Sequence, residues 1–342
     1  MMISSKQALG IAVIGLGRAG MIHARNFAAG VSGARLVALV DPFAESLARA
    51  ASELGVARGY SSVSDAMADP NIDAVVIATP TAEHCRIAVV AARAGKHVFC
   101  EKPMAMNAVE CQEMISATEA AGVHLQIGFM RRFDRSFAMA KERIERGEIG
   151  RVVQVKSLTH GPSTPKPWMY DIRQSNGPLA EVNSHDIDTL RWFTQSEFKT
   201  LYAIAGNYRC AEARREFPDF YDNVLLTASF ANGMQGMISG AQGAKYGYDA
   251  RCEILGTEGI LFVGHLDDSS VVSCTSAGLS RPVVRSWTDL FLEAYRAEDE
   301  DFVQCIREGR PPRATGLDGL RAVQVVNAGN ESIRTGKLVT LS

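Results

Sequence analysis

The chain has 342 residues, which exceeds the usual size of one domain and favours two domains that each bury a core. Hydrophobic residues make up 46%, charged residues 22% and the formal net charge is -2, so the composition is that of an ordinary globular protein and does not indicate nucleic-acid binding. No window approaches the length of uncharged apolar sequence that a transmembrane helix needs. Seven scattered cysteines without a C-x-x-C pair predict a reducing, cytoplasmic setting.

The first third of the chain alternates short β-branched runs with alanine-rich amphipathic segments, which is typical of βα units. The runs are apolar at consecutive positions, as in strands that are covered on both faces. The predicted strands are Ile11–Ile14, Leu36–Val40, a weaker one near Ala57–Tyr60, Ala74–Ala78, His97–Cys100 and His124–Ile127. The predicted helices are Met21–Ala29, Ala44–Leu54, Ala82–Ala94 and Ala108–Ala121. Together they predict an α/β Rossmann domain with a doubly wound parallel sheet over residues 1–128.

The remainder, residues 129–342, has longer strand-like segments joined by tight turns. The turns Ala231-Asn232-Gly233 and Gly256-Thr257-Glu258-Gly259 indicate antiparallel neighbours. We therefore expect an α+β domain with one open, mostly antiparallel sheet of about five or six strands. The predicted strands are Arg151–Thr159, Thr200–Ala205, Asn223–Phe230, Met234–Ser239, Ala250–Leu255 and Ile260–Val263, and the predicted helices are Phe137–Arg146, His185–Phe193, Asp289–Arg307 and Leu317–Arg334. Packing of the last helix back onto the Rossmann domain is left open.

A glycine-rich turn, Gly15-Leu16-Gly17-Arg18-Ala19-Gly20, follows the first predicted strand and opens the first helix. The dinucleotide-binding fingerprint requires this context, with glycines for the tight turn, for approach to the pyrophosphate and for helix packing. Asp41 ends the next strand, 21 residues beyond Gly20, where its carboxylate would accept the adenosine ribose hydroxyls. The carboxylate also repels a 2'-phosphate, so the sequence favours NAD over NADP. A ligand-free turn beside a solvated acid is the alternative.

Two further loops follow predicted strands at the same edge of the sheet. Thr79-Pro80-Thr81-Ala82-Glu83-His84 is expected to lie along the cofactor, with helix capping and solvation as the alternative for Thr81 and His84. Glu101-Lys102-Pro103 follows the next strand. A partly desolvated lysine beside the nicotinamide can stabilise or accept the proton of a reacting hydroxyl, and a surface lysine is the alternative. His23, in the first helix, is interpreted as a packing or surface residue rather than a catalyst.

A second polar cluster precedes a predicted helix in the C-terminal part. Apolar residues recur there at helical spacing, which makes Ser184 the predicted N-cap and places His185 in the first turn. The positive end of the helix would keep His185 neutral and able to take a proton, whereas Glu181 and Asp186 favour its imidazolium form. The net direction of the shift in its pKa stays open. A metal site of His185, Asp186 and Asp188 is disfavoured, because the helix points these side chains along different azimuths.

These residues give the chain an end-to-end resemblance to the glucose-fructose oxidoreductase, inositol dehydrogenase and related (Gfo/Idh/MocA) family. The matching segments are Gly15–Gly20 with Asp41, Ala78-Thr79-Pro80, Glu101-Lys102-Pro103, Gly128–Asp134, Gly147–Gly150, Ser184–Asp188 and Ile254–Gly259. The stretches Met130–Asp134 and His185–Asp188 look most like the inositol 2-dehydrogenase branch. The resemblance implies an N-terminal Rossmann domain, hydride transfer at a ring hydroxyl, and a C-terminal sheet used for contacts in a homo-oligomer, a tetramer or a dimer.

By position, Lys102 matches the family lysine and His185 the family histidine, so the resemblance implies that they handle the hydroxyl proton. Glu181 stands four residues before that histidine, where inositol dehydrogenases usually have Asp, and it would orient His185. The linker around Trp168 also departs from the usual version, and both differences bear on substrate identity. The candidate polyol contacts are Lys102, Arg131, Trp168, Asn183, His185 and Asp186.

The sequence therefore predicts NAD-dependent oxidation of a secondary ring hydroxyl of a cyclitol or sugar to a ketone, without a metal. An NADPH-linked reductase of keto-sugars or anhydrosugars is the enzymatic alternative, which Asp41 disfavours. A nucleotide-sensing regulator is the non-catalytic alternative, which the presence of both Lys102 and His185 disfavours. The fold alone does not separate these functions. We expect a small polyol as the partner, and neither nucleic acid nor a membrane.

Overall fold

The computed structural model describes residues 8–341, which form two compact units. The first unit comprises the described residues up to Phe133 together with Leu292–Val323. The second comprises Asp134–Phe291 and the described residues from Gln324 onward. Each unit has its own sheet and is described by itself below.

The first unit is built on a parallel sheet whose strands alternate with helices along the chain. In chain order the elements are β1 (Leu9–Ile14), α1 (Arg18–Gly30), β2 (Ala34–Val40), α2 (Ala44–Leu54), β3 (Gly59–Tyr60), α3 (Val63–Met67), β4 (Ala74–Ile77), α4 (His84–Arg93), β5 (His97–Glu101), α5 (Ala108–Ala121) and β6 (Leu125–Gly128). The strand order is β3-β2-β1-β4-β5-β6, and every neighbouring pair is parallel. The order reverses direction between β1 and β4, where such sheets bind ligands at the carboxyl ends of the strands.

The apolar runs form strands here because both faces of the sheet are covered. All residues of β1 and β4 are buried, and Phe99 of β5 is fully buried between Phe302 and the ring of His23. Phe27 of α1 belongs to the same core. The predicted doubly wound parallel sheet is confirmed.

Side chains begin some of these helices, but not the first one. Asn107 accepts a hydrogen bond from the backbone N–H of Glu110 at 3.0 Å and so caps α5. Ser62 caps α3 in the same way. The N-cap residue of α1 is Gly17, which makes no side-chain cap hydrogen bond.

The second unit is built on a mixed sheet. The remaining elements in chain order are α6 (Arg135–Glu145), β7 (Val152–Gly161), α7 (Ile172–Ser175), α8 (Gly177–Glu181), α9 (Ser184–Thr194), β8 (Phe198–Gly206), β9 (Asn223–Phe230), β10 (Gln235–Gln242), β11 (Asp249–Gly256), β12 (Ile260–Val263), β13 (Ser273–Thr275), β14 (Gly278–Ser280), α10 (Trp287–Glu308), α11 (Gly316–Thr335) and β15 (Val339–Thr340). The strand order is β12-β11-β7-β10-β9-β8-β15. All neighbouring pairs are antiparallel except β7 and β10. The predicted open, mostly antiparallel sheet is confirmed.

Three details of this sheet differ from the sequence prediction. It has seven strands rather than five or six, because the two residues of β15 pair with β8 and are too few to show a periodic pattern. The long connection between β7 and β10 allows these two strands to run parallel, which no local turn signals. A separate hairpin of β13 and β14, and the short helices α7 and α8, were not predicted.

The seven-stranded sheet has one covered and one exposed face. Ser157 and Thr159 of β7 are buried, and their hydroxyls point to the Asp186 carboxylate of α9. Side chains on the opposite face are exposed, and Phe262 retains 71% of its accessible surface. One face is therefore packed under α9, while the other carries exposed apolar and polar side chains that the described residues leave uncovered.

Two long helices lie near the end of the chain. The helix α10 has 22 residues and α11 has 20, and charged positions interrupt the apolar ones in both. In α10, for example, exposed Arg296 and Glu300 form an ion pair, whereas Phe302 is buried. None of the helices described within residues 8–341 is both long and apolar enough to cross a membrane.

Candidate active site

The glycine turn between β1 and α1 brings three backbone segments close together. Gly15 has φ +89°, and a Cβ there would lie 2.7 Å from the carbonyl oxygen of Ala78. A Cβ on Gly20 would lie 1.8 Å from the carbonyl oxygen of Gly15. Around Gly17, by contrast, an added Cβ would meet no described atom within 4 Å. The turn is therefore packed on its inner side and open on the side of Gly17, where an anion can approach the start of α1.

Asp41 follows β2 and is tied to the same turn. Its carboxylate accepts the backbone N–H of Leu16 at 2.8 Å and that of Phe43 at 3.0 Å, and the residue is 7% exposed. Each carboxylate oxygen has a further lone pair. Asp41 therefore holds the glycine turn in place, and its carboxylate can still accept hydrogen bonds from hydroxyl groups.

The loop after β4 lies against Gly15 through its backbone. Thr79 has a buried side-chain oxygen without a hydrogen-bond partner among residues 8–341, and Thr81 is buried in the following 3-10 turn. An unpaired buried hydroxyl is costly, so it fits a site that a polar ligand completes. The residues around the start of α1 thus fit NAD in two ways: the glycine turn is open at Gly17, and the side-chain oxygen of Thr79 needs a polar partner.

His84, the first residue of α4, connects this loop to the next one. Its Nδ1 lies 2.9 Å from the carbonyl oxygen of Pro103, and its Nε2 lies 2.9 Å from that of Thr79. Burial lowers the pKa of His84, and the two carbonyl groups oppose that shift. The ring is only 1% exposed, so His84 holds the two loops together rather than standing open to solvent.

Glu101 and Lys102 lie at the carboxyl end of β5. Glu101 is buried, Lys102 is partly exposed, and the backbone N–H of Lys102 donates to Glu101 Oε2 at 3.0 Å. The peptide between Lys102 and Pro103 is cis. The first unit therefore gathers the glycine turn, Asp41, the Thr79 loop and Lys102 at one edge of its sheet, as the sequence predicts.

The second predicted cluster lies at the start of α9. The N-cap is Asn183, so the prediction of Ser184 is wrong by one residue, because Ser184 already belongs to the helix. The Asp186 carboxylate accepts the hydroxyl groups of Ser157 and Thr159 at 2.5 and 2.7 Å, and the side-chain amide of Asn183 at 2.8 Å. Asp186 is fully buried, so it joins α9 to β7.

Asn183 is held between α9 and β10. Its amide donates to Asp186, while its Oδ1 has no hydrogen-bond partner in the part of the chain that the structure describes. A Cβ on Gly240 would lie 2.0 Å from that oxygen, so glycine at this position of β10 makes room for the side chain. Asn183 therefore keeps an acceptor that nothing within the described chain uses.

His185 and Glu181 are close in sequence but belong to different helices. Glu181 is the last residue of α8, and the backbone leaves the helical conformation before α9 begins. His185 is 6% exposed, and its carbonyl oxygen accepts the hydroxyl of Thr189 at 2.7 Å. Their separation by four residues is thus not one turn of a continuous helix, and the orienting role of Glu181 stays a prediction.

Two predicted polyol contacts occupy short 3-10 turns. Arg131 follows β6 and is 1% exposed, which is unusual for an arginine. Trp168 lies in the turn Pro167–Tyr170 of the second unit and is half-buried. Their roles stay predictions.

Sequence reasoning missed a group of buried acids next to Glu101. His23 is fully buried and contacts Glu101 and Asp299, so it is not a surface residue. Glu298 and Asp299 lie on α10, and both are fully buried. One signal was available: Glu298 stands seven residues after Phe291, on the apolar stripe of that helix, where an acid is unexpected.

The chain matches two protein-family models in tandem. Residues 9–129 match the family described as "Oxidoreductase family, NAD-binding Rossmann fold". Residues 137–262 match the "GFO/IDH/MocA C-terminal domain". The first match lies within the first unit and names the cofactor class, and the second lies within the second unit.

Individual relatives match over nearly their full length. The chain is 34% identical over 333 residues to the scyllo-inositol 2-dehydrogenase (NAD(+)) of Bacillus subtilis, covering 96% of this chain and 95% of that protein. It is 33% identical over 332 residues to the myo-inositol 2-dehydrogenase of Thermotoga maritima, covering 97% and 98%. A scyllo-inositol dehydrogenase of Lactobacillus casei, solved with NAD(H) and scyllo-inositol, is 27% identical with a TM-score of 0.89, covering 98% and 99%.

The two glycines Gly17 and Gly20 should respond differently to the same added methyl group. Gly20→Ala should lower the free energy of unfolding by about 3 kcal/mol, because its Cβ meets backbone that cannot move away cheaply. Gly17→Ala should stay within about 1 kcal/mol of wild type and yet weaken NAD binding, because its Cβ enters the open side of the turn. Urea unfolding and NAD titration measure both effects. Equal loss of stability in the two variants would contradict the geometry.

Asp41 should decide the choice between NAD and NADP. Asp41→Ser should weaken NAD binding about tenfold or more, because a charged acceptor is lost, and should improve NADP binding by removing repulsion. Glu45→Ser is the matched control, since Glu45 is an exposed acid in the first turn of α2. Dissociation constants from fluorescence titration test this. Wild-type protein that binds NADP as tightly as NAD would show the assignment to be wrong.

Proposed function

Because the chain belongs to the Gfo/Idh/MocA family of oxidoreductases, we propose that it oxidises a secondary ring hydroxyl of a cyclitol or related sugar to a ketone, with NAD as the hydride acceptor. The names of the relatives, scyllo- and myo-inositol 2-dehydrogenase, support the substrate class. The structural observation that carries the proposal is Lys102 at the carboxyl end of β5, on the sheet edge that also holds the glycine turn and Asp41.

We propose that residues 1–128 bind NAD and that residues 129–342 supply the polyol contacts. The N–H groups at the start of α1, from Gly17 through Arg18 and Ala19, would hold the pyrophosphate, and Asp41 would accept the ribose hydroxyls. The loop from Thr79 to His84 and the side of Glu101 would line the rest. When bound, NAD supplies the acceptor for a hydride. Every other part of the chemistry falls to side chains of the protein.

Lys102 and His185 would manage the proton of the reacting hydroxyl. As the hydroxyl proton leaves, negative charge develops on the oxygen, and this charge helps the carbinol carbon to release its hydride. The Lys102 ammonium would donate a hydrogen bond to that oxygen and stabilise the charge. A neutral His185 ring would accept the proton, and Glu181 would hold the imidazole in its working tautomer.

The other candidate contacts divide into two groups by their present partners. Arg131, Trp168 and Asn183 remain candidates for the remaining hydroxyl groups of the polyol. Asp186 is better suited to an indirect role, because its carboxylate already accepts three hydrogen bonds from buried donors. We propose that Asp186 fixes Asn183 and the start of α9 instead of binding the polyol itself.

The exposed face of the seven-stranded sheet supports a homo-oligomer. Tyr202 and Ile204 of β8 lie in register with Thr227 and Leu225 of β9, and all four are on the face opposite α9. Phe262 adds an exposed ring on β12, the edge strand at the other end of the sheet. Exposed apolar side chains on one face of a sheet indicate an interaction surface, and symmetric self-association is the commonest way to bury one. We propose a dimer or tetramer through this face.

A reducing, cytoplasmic location is the last element of the proposal. All seven cysteines are free thiols, and six of them are buried. Burial raises the pKa of Cys111 to about 12, and it also raises that of Cys85 to about 12. These thiols suit packing in a reducing environment.

A screen of cyclitols and aldoses with NAD, followed by NADH absorbance, tests the proposed reaction, and two variants test its residues. Lys102→Ala and His185→Ala should each reduce kcat by about 10²- to 10⁴-fold, because each removes one partner of the hydroxyl proton. NAD affinity should change little in either variant. Lys337→Ala, at an exposed lysine near the C-terminus, is the control and should leave kcat unchanged. Normal turnover in Lys102→Ala would refute the mechanism.

Changes at Glu181 test the orienting role separately. Glu181→Gln should be milder than His185→Ala, because it keeps an acceptor for the ring N–H but removes the charge that stabilises imidazolium. Glu181→Asp restores the residue usual in the family with a shorter reach. If Glu181→Asp and Glu181→Ala both turn over like wild type, Glu181 has no part in the reaction.

Light scattering at micromolar concentration tests the oligomer. The 37.0 kDa chain should scatter as a dimer or tetramer, and Phe262→Glu together with Ile204→Glu should shift the mass toward the monomer by placing charge on the apolar face. Val109→Glu is a control at an exposed apolar residue of α5 and should keep the wild-type mass. A wild-type monomer would rule the interface out.

A further inference from the structure

A cluster of buried ionisable side chains lies behind Lys102 in the first unit. It consists of His23 on α1, Glu101 at the end of β5, and Glu298 and Asp299 on α10. Glu101 is 5% exposed and the other three are fully buried. No step of the proposed reaction uses His23, Glu298 or Asp299. Burying four ionisable groups together costs desolvation free energy unless hydrogen bonds and charge interactions among them offset it.

His23 is the centre of the cluster. Its Nδ1 lies 2.7 Å from Asp299 Oδ1, and its Nε2 lies 3.0 Å from Glu101 Oε1. Both neighbours are acceptors, so the ring donates from both nitrogens as an imidazolium. Burial by itself lowers the pKa of His23, but the charge of Asp299 and the hydrogen bonds to Asp299 and Glu101 outweigh it and raise the pKa well above its usual value.

The contacts continue from His23 in both directions. Glu101 Oε2 accepts the backbone N–H of Lys102 at 3.0 Å, and Asp299 Oδ2 accepts the side-chain amide of Asn26 at 2.8 Å. A Cβ on Gly128 would lie 3.1 Å from both Glu101 oxygens, so β6 closes the space beside the carboxylate. One unbroken set of hydrogen bonds therefore runs from α10 through His23 to the backbone of Lys102.

We propose that His23 is a positioning residue for Lys102: by clamping the Glu101 carboxylate against α10, it fixes the backbone from which the lysine reaches the substrate. This inference rests on the role proposed above for Lys102. The observation behind it is that the carboxylate held by His23 also accepts the backbone N–H of Lys102. A small displacement of a catalytic group can reduce the reaction rate by a large factor, so holding the backbone of Lys102 in place would favour catalysis.

Glu298 completes the cluster from α10. Both of its oxygens are buried without a hydrogen-bond partner in the described chain. Burial, followed by the charge of Glu101, raises its pKa well above the usual value. A raised pKa favours the uncharged form of Glu298, which lowers the number of buried charges in the cluster.

The same atoms resemble a metal site, because one ligand atom each from His23, Glu101 and Glu298 lie within 4.8 Å of one another. Both ring nitrogens of His23 already face carboxylates at hydrogen-bond distance, however, and a metal would have to replace one of these contacts. The positioning role therefore fits the geometry better than a cation does.

His23→Gln and Asp299→Asn test the positioning role, because each keeps side-chain volume and removes one charge from the clamp. We expect kcat to fall about 10- to 100-fold in His23→Gln and about tenfold in Asp299→Asn, with the dissociation constant of NAD within about threefold of wild type. The deuterium isotope effect on kcat, with cyclitol labelled at the reacting carbon, should increase, since the chemical step becomes slower. A purely structural loss lowers the active fraction and leaves that isotope effect unchanged.

Glu300→Gln is the matched control, because Glu300 lies on the same helix, is exposed and pairs with Arg296. It should match wild type. If Lys102→Ala is inactive, a normal kcat and isotope effect in Asp299→Asn, or in a folded His23→Gln, would overturn the positioning role. An active Lys102→Ala would instead refute the proposed reaction. A stoichiometric divalent ion in the purified enzyme that is lost in His23→Gln would likewise overturn it in favour of a metal site.

Discussion

The close approach of backbone to backbone at the start of α1 is the constraint on which the cofactor half depends. Gly20 packs on the carbonyl of Gly15, and Gly15 packs on the loop after β4, with no room for a methyl group at either contact. This approach carries the uncapped start of α1 to the point where the strand order reverses. It also sets the direction of α1, and with it the position of His23 one turn further along.

Buried carboxylates organise the loops in both units, and each has specific donors. Asp41 accepts N–H groups from the glycine turn and from its own loop, while Glu101 accepts from His23 and from the backbone of Lys102. In the second unit, Asp186 accepts two hydroxyls and an amide. A buried charge is tolerated when its hydrogen bonds are complete, and these hydrogen bonds make the loops around the acids rigid. The rigidity is what a site needs to hold a hydroxyl in one orientation.

The two helix starts illustrate how similar geometry serves different ends. The helix α1 begins without a capping side chain and presents its N–H groups on the open side of the glycine turn. The helix α9 begins at Asn183 and has an acid, Asp186, in its first turn. A resident carboxylate reduces the attraction of that end for a second anion. An anionic cofactor therefore suits α1, whereas an uncharged polyol suits the neighbourhood of α9.

The sequence by itself determined the features that depend on neighbouring residues. The apolar runs identified the parallel strands, the glycine turn and Asp41 predicted where the dinucleotide binds, and the motifs along the chain identified the family. Tertiary structure alone decided the parallel pairing of β7 with β10, the internal hydrogen bonds of Asp186, and the contact of His23 with Asp299 across 276 residues. Periodicity reports which face of an element is buried, but it does not report which distant side chain is buried against it.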